Sequence, residues 1–129
     1  MPNLMNALAM AGVKRGILPG TYTSTETGTG VDCTAWDGMA VAVLDCAAGT
    51  GTTPTLNVKL QSCATVDGTY ADISGAVFTE VDDTEGGSTQ IIAFPVSAAA
   101  AFVRAVGTIA GTTPSFDFSV TLVGMPKVA

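Results

Sequence analysis

The sequence contains no histidine. That absence removes the commonest general base, the Ser-His-Asp arrangement and the usual zinc sites together. Basic residues are scarce as well: Lys14, Arg15, Lys59, Arg104 and Lys127 are the only five in 129 residues, and the net charge is −6. They form no stripe that could follow a phosphate backbone, so nucleic acid is not expected as a partner. No run of about eighteen apolar residues could span a bilayer, and residues 1–18 lack the ordered regions of a signal peptide. The expectation is a chain without a membrane partner, assembled in the cytoplasm of its host cell.

Charge of either sign is thin. Charged residues make up 12% of the chain, where about 25% is usual. The surface must be built largely from Thr, Ser, Ala and the 15 Gly. A surface so poor in Lys and Glu is easier to understand if other subunits cover much of it, which points to a homo-oligomer or a larger assembly. Cys33, Cys46 and Cys63 are an odd set without close metal-ligand spacing. They fall in or beside apolar segments, where a thiol acts as a small apolar residue, and they are expected to be reduced.

Other chemical signatures are missing too. The Gly-Thr stretches before Pro54 and Pro114 lack the Lys and the following helix of a phosphate-binding loop. Glu80, Asp82, Asp83 and Glu85 do not follow the alternating spacing of a calcium loop and read as a solvated turn. Asp32, Asp37 and Asp45 are too ordinary in context to nominate as a glycosidase pair. We expect no catalytic residues, no cofactor and no metal site, hence no enzyme.

What is present is β-pattern. Phe116, Phe118, Val120 and Leu122 alternate with Asp117, Ser119 and Thr121, the period-2 signature of a strand with one dry face. With a four-residue turn at Gly111-Thr112-Thr113-Pro114, residues 102–124 read as a hairpin. Val103 then pairs with Leu122, Ala105 with Val120, Gly107 with Phe118 and Ile109 with Phe116, one wholly apolar face. The same punctuation recurs at Gly51-Thr52-Thr53-Pro54, ahead of a strand with Leu56, Val58 and Leu60 on its dry face. Val41 and Val43 can lie across from Leu60 and Val58 to make a second hairpin. Two such hairpins predict an all-β chain, a single antiparallel β-sandwich over residues 21–129.

The remaining segments fall around that core. Residues 1–20 read as an N-terminal arm: Leu4, Leu8 and Ala11 have helical spacing, and Met1, Met5 and Met10 add apolar bulk with almost no charge. A segment too short to be stable alone needs a surface to lie on, either its own sandwich or a neighbouring subunit. Residues 39–46, MAVAVLDC, are apolar on both faces, as expected of a central strand or one whose outer face is covered. Trp36, the only Trp, reads as a plug at one end of the sandwich or as a contact residue. The Asp67-Gly68 turn and Arg104 are the polar features that stand out, Arg104 being a long cation on a core strand.

The runs VKLQSCATVDGTYADISGAVFTEV and AFVRAVGTIAGTTPSFDFSVTLVG resemble small structural proteins encoded among the virion genes of tailed bacteriophages. The likeness lies in a strand ending LQ-S, a D-G-T-Y-A-D-I turn and a late F-V-R-A strand, within residues 31–124. The resemblance implies a jelly-roll-like sandwich that decorates the capsid exterior and cements adjacent subunits of the major capsid protein. Expected assembly contacts are Leu4, Met5, Leu8, Met10, Trp36 and Arg104. The competing expectation is a head- or tail-surface module that recognises a host ligand through its Thr-, Gly- and Asp-rich loops.

Overall fold

The computed structural model describes residues 12–84 and 87–126. They form eight strands: β1 Gly12–Tyr22, β2 Glu26–Thr27, β3 Val31–Asp32, β4 Trp36–Cys46, β5 Thr50–Cys63, β6 Ala71–Val77, β7 Ser88–Pro95 and β8 Phe102–Pro126. One short 3-10 turn, Val96–Ala98, connects β7 to β8. All pairings are antiparallel. Residues 12–20, read from sequence as part of an arm, make up most of β1.

β8 organises the molecule because it belongs to both layers of the sandwich. Its first half pairs with β5 on one side and with β2 and β3 on the other. Its second half pairs with β4 and β1. The back sheet is therefore β6-β5-β8 with β2 and β3 beyond, and the front sheet is β7-β4-β8-β1. The inward residues of both layers, including Leu44, Leu56, Leu60, Val103, Ala105, Phe116, Val120 and Leu122, are fully buried in one core. The all-β antiparallel sandwich expected from the strand pattern is the observed fold.

The two expected hairpins are not formed. Val103 lies between Ser62 and Val31, and Leu122 lies between Ala42 and Lys14. Val41 and Val43 pair with Val123 and Thr121 on one side and with Ala93 and Ile91 on the other, away from Leu60 and Val58. The reason lies in the two GTTP segments. Each has one Gly and one Thr at positive φ, Gly51 at 110° with Thr53 at 47°, and Gly111 at 120° with Thr113 at 47°. Two such residues bend a strand and add a bulge without reversing it.

The bends face each other, with Thr50 opposite Ser115, Thr52 opposite Thr112 and Thr55 opposite Ala110. A Cβ on Gly51 would stand 2.5 Å from the Thr113 carbonyl oxygen, and one on Gly111 would stand 2.8 Å from that of Thr53. Each glycine thus admits the other strand's backbone. The repeated motif is a pair of reciprocal bulges at one crossing, where β5 and β8 turn the corner of the sandwich together.

A second device closes the opposite seam. Gln90 on β7 accepts a hydrogen bond from the Thr79 amide at 2.8 Å and donates one to the Thr79 carbonyl at 2.9 Å. Phe78 and Val81 in turn bond to the backbone of Val58 and Leu56 on β5. One amide side chain therefore ties the end of the front sheet to the segment that follows β6, and the sandwich is nearly closed into a barrel.

Candidate assembly surfaces

The outer face of the front sheet carries an apolar patch that touches all four strands and is bordered by polar residues. One row runs Val13, Val123, Val41, Ala93 from β1 through β8 and β4 to β7, and the next runs Arg15, Thr121, Val43, Ile91. Val13 and Ile91 are 66% and 67% exposed, and Met39, beyond the first row beside Pro95, is 54% exposed. The row on the far side is polar: Asp45 lies opposite Ser119 and Thr89, and the Thr89 hydroxyl donates to its carboxylate at 3.3 Å. The pattern of residues 39–46 is expected of a central strand or of one whose outer face is covered, and β4 is a central strand, between β7 and β8. Ile91 and Ala93 carry the same signal in Gln90-Ile91-Ile92-Ala93-Phe94, which has no polar alternation after its first residue. Val13 and Val123 join the patch only through tertiary pairing.

The outer face of the back sheet is mixed, with Val77, 59% exposed, and Val106 on either side of Lys59, and its polar groups are internally bonded. Arg104 Nε donates to Gln61 Oε1 at 2.9 Å, Gln61 Nε2 donates to Asp72 Oδ1 at 2.9 Å, and Lys59 Nζ stands 3.0 Å from the same carboxylate. These bonds hold the Asp72 carboxyl below the usual carboxylate range, the Gln61 contribution being the largest. The Arg104 guanidinium lies 4.0 Å from the Tyr70 ring centroid, and the Tyr70 hydroxyl donates to the Val66 carbonyl at 2.9 Å. Tyr70 closes the loop that carries Asp67-Gly68, so the cation–π contact sets Arg104 against the end of that loop. Desolvation raises the Tyr70 phenol above its ordinary pKa. Both members of the Lys59–Asp72 pair are well exposed, so the ladder orients side chains more than it stabilises the fold.

Trp36 is 4% exposed, at the start of β4 opposite Pro126. Its indole fills the space over Gly12 and Gly124, neither of which has room for a side chain. The ring also helps line a shallow depression of about 400 Å³ with Cys33, Val96 and Ala99. The plug reading describes its position, and little of the ring is left for a partner. Leu4, Met5, Leu8 and Met10 lie outside the described residues. Among the described residues no three His, Cys, Asp or Glu side chains are grouped to hold a metal ion. Cys33 and Cys46 are buried, Cys63 is half-buried, and all three are unpaired thiols.

No family model matches the chain. No curated protein matches it either. Solved structures do. The fold is similar to a chain in a structure of infectious bursal disease virus Gx strain, with a TM-score of 0.51 at 12% identity, covering 90% of this chain and 32% of that one. A crystal structure of the infectious bursal disease virus VP2 subviral particle aligns over the same shares with a TM-score of 0.48 at 11% identity. The chain thus spans about a third of the length of the chains it matches. The likeness is one of fold.

Proposed function

We propose that the chain is a structural virion protein that decorates the outer capsid surface, in many copies, and holds adjacent subunits of the major capsid protein together. The observation that carries this reading is the outer face of the front sheet. Val13, Met39, Val41, Val43, Ile91 and Val123 present a contiguous apolar surface with Arg15 at its margin, and such a surface serves assembly. The sandwich likeness to the infectious bursal disease virus chain supports it, as does the resemblance of residues 31–124 to tailed-phage virion proteins. The net charge of −6 suits an exterior position better than one facing packaged DNA. No catalytic step is assigned to the chain.

The direct test is stoichiometry. Purified particles from cells expressing this chain together with the major capsid protein it decorates should carry it in a fixed ratio near one to one with that protein, or a simple fraction of that. A handful of copies per particle would sink the decoration reading and favour a receptor-binding module at the tail. Absence from particles would remove the virion role altogether.

A further inference from the structure

The geometry points to Asp37-Gly38 as a site of covalent self-modification, at which the Gly38 amide nitrogen closes a succinimide ring on the Asp37 carboxyl and the ring reopens to isoaspartate. The site depends on local geometry alone, whatever the chain assembles with.

The chain contains two Asp-Gly sequences, Asp37-Gly38 and Asp67-Gly68. Glycine after aspartate leaves the following nitrogen unshielded by a side chain and its backbone free to rotate, so both can close the ring in an unfolded chain. The fold separates them. The Gly38 amide donates to Asp37 Oδ1 at 2.9 Å, which sets the nucleophilic nitrogen against the carboxyl it attacks. A turn of that carboxyl about its Cβ–Cγ bond presents the carbon in place of the oxygen.

The surroundings of Gly38 give the reaction room. Both residues are exposed, and nothing lies within 4 Å of where a Cβ on Gly38 would stand. Gly38 has a φ of 72° and sits in a break of the β4–β8 register, where Asp37 lies opposite Met125 and the next pair is Val41 with Val123. Gly38, Met39 and Ala40 therefore stand against Gly124 alone, and pairing with β7 begins only at Met39 opposite Pro95. Ring closure must rotate the Asp37-Gly38 peptide, and isoaspartate adds one methylene to the main chain. A bulge that already holds surplus chain absorbs both, whereas a regular ladder would lose its register.

Asp67-Gly68 is exposed too, but its peptide is held. The Gly68 amide donates to the Thr65 carbonyl at 3.3 Å. A Cβ on Gly68 would collide with the Cys63 thiol and the Thr65 hydroxyl, and the Tyr70 hydroxyl ties the loop to the Val66 carbonyl at 2.9 Å.

The chemistry needs no reagent besides water. The Gly38 nitrogen forms a bond to Asp37 Cγ, and its proton leaves with the carboxyl hydroxyl as water. Hydrolysis of the ring at the Cγ carbonyl restores aspartate. Hydrolysis at the α-carbonyl leaves the chain running through Cβ and Cγ and releases the former main-chain carbonyl as a carboxylate, so mass and charge match the parent. The altered backbone lies between Trp36, the plug, and Met39, beside the apolar patch.

The experiment incubates the folded full chain in ¹⁸O-water at neutral pH, below its melting temperature, beside a sample in denaturant, and both are then digested in ordinary water. Each passage through the ring installs one heavy oxygen, and electron-transfer fragmentation tells isoaspartate from aspartate. The expected result in the folded chain is label and isoaspartate at residue 37 several-fold above the level at residue 67, with the ratio falling towards one in denaturant. Asp37→Glu, which would need a larger ring, should abolish the signal at residue 37 and leave that at residue 67 unchanged. Equal labelling of the two positions in the folded chain, or a ratio that denaturant does not alter, would overturn the assignment. So would a folded chain that takes up no label at Asp37, or a label that survives in Asp37→Glu.

Discussion

Phe118 is the residue at which pattern and partner part ways. The alternation in β8 turns its ring inward, and it is buried at 3% exposure with the ring edge 2.9 Å from where a Cβ on Gly107 would stand. The contact is made across the core, between the two halves of one bent strand, and the Tyr22 ring packs against it at 5.1 Å between centroids, tilted by 57°. Phe118→Ala should cost about 3–5 kcal/mol, a drop of ten degrees or more in melting temperature. A shift of under about two degrees would mean the ring is not in the core. Cys33 and Cys46 give a second residue-scale test, because burial pushes both thiols up to about 11 from an ordinary 9. A thiol whose folded pKa is raised stays protonated while the unfolded chain ionises. Its contribution is intact below pH 9 and is lost as the pH climbs towards 11. The fall in melting temperature between about pH 8 and pH 10.5 should therefore be smaller in Cys33→Ala/Cys46→Ala than in the parent. An equal fall would show that other groups govern the alkaline limb.

β5 and β8 are the elements that make a sandwich from this sequence, and they do so at one reciprocal crossing. Gly51→Ala and Gly111→Ala each force an L side chain to a positive φ and into the opposing backbone, at a cost of about 1–3 kcal/mol. Because both disturb the same crossing, the double variant should lose less than the sum of the singles. Denaturant melts of the four proteins check this, and strict additivity would contradict the paired bulges. The inward positions were legible in sequence: Val103, Ala105, Phe116, Phe118, Val120 and Leu122 are all buried as the alternation requires. Their partners were not legible, because a tight turn and a bulged bend at Gly-Thr-Thr-Pro leave the same period-2 pattern on either side. Both readings put the same side chains in the core, and only long-range pairing with β1, β4 and β5 separates them. Trp36 shows the same limit, since Gly12 and Gly124, which make room for its indole, lie far away along the chain. Arg104 could be read as a cation seeking a partner, but its contact with Tyr70 depends on how the intervening loop folds.

At the scale of the molecule, the two outer faces differ in kind. The back sheet satisfies its own polar groups through the Arg104–Gln61–Asp72–Lys59 ladder, whereas the front sheet presents valine and isoleucine. Truncating the ladder should therefore matter little: Arg104→Ala should change stability by less than about 1 kcal/mol, and it should leave assembly unchanged. Changes on the front face should do the reverse, leaving the fold alone and disturbing association. That asymmetry is the central claim, and particle binding measures it most directly. Titrated onto particles lacking this chain, the Val43→Lys/Ile91→Lys protein should bind at least ten-fold more weakly than the parent, with its melting temperature within a few degrees. A folded double variant that decorates particles at the parent's affinity and occupancy would contradict the account.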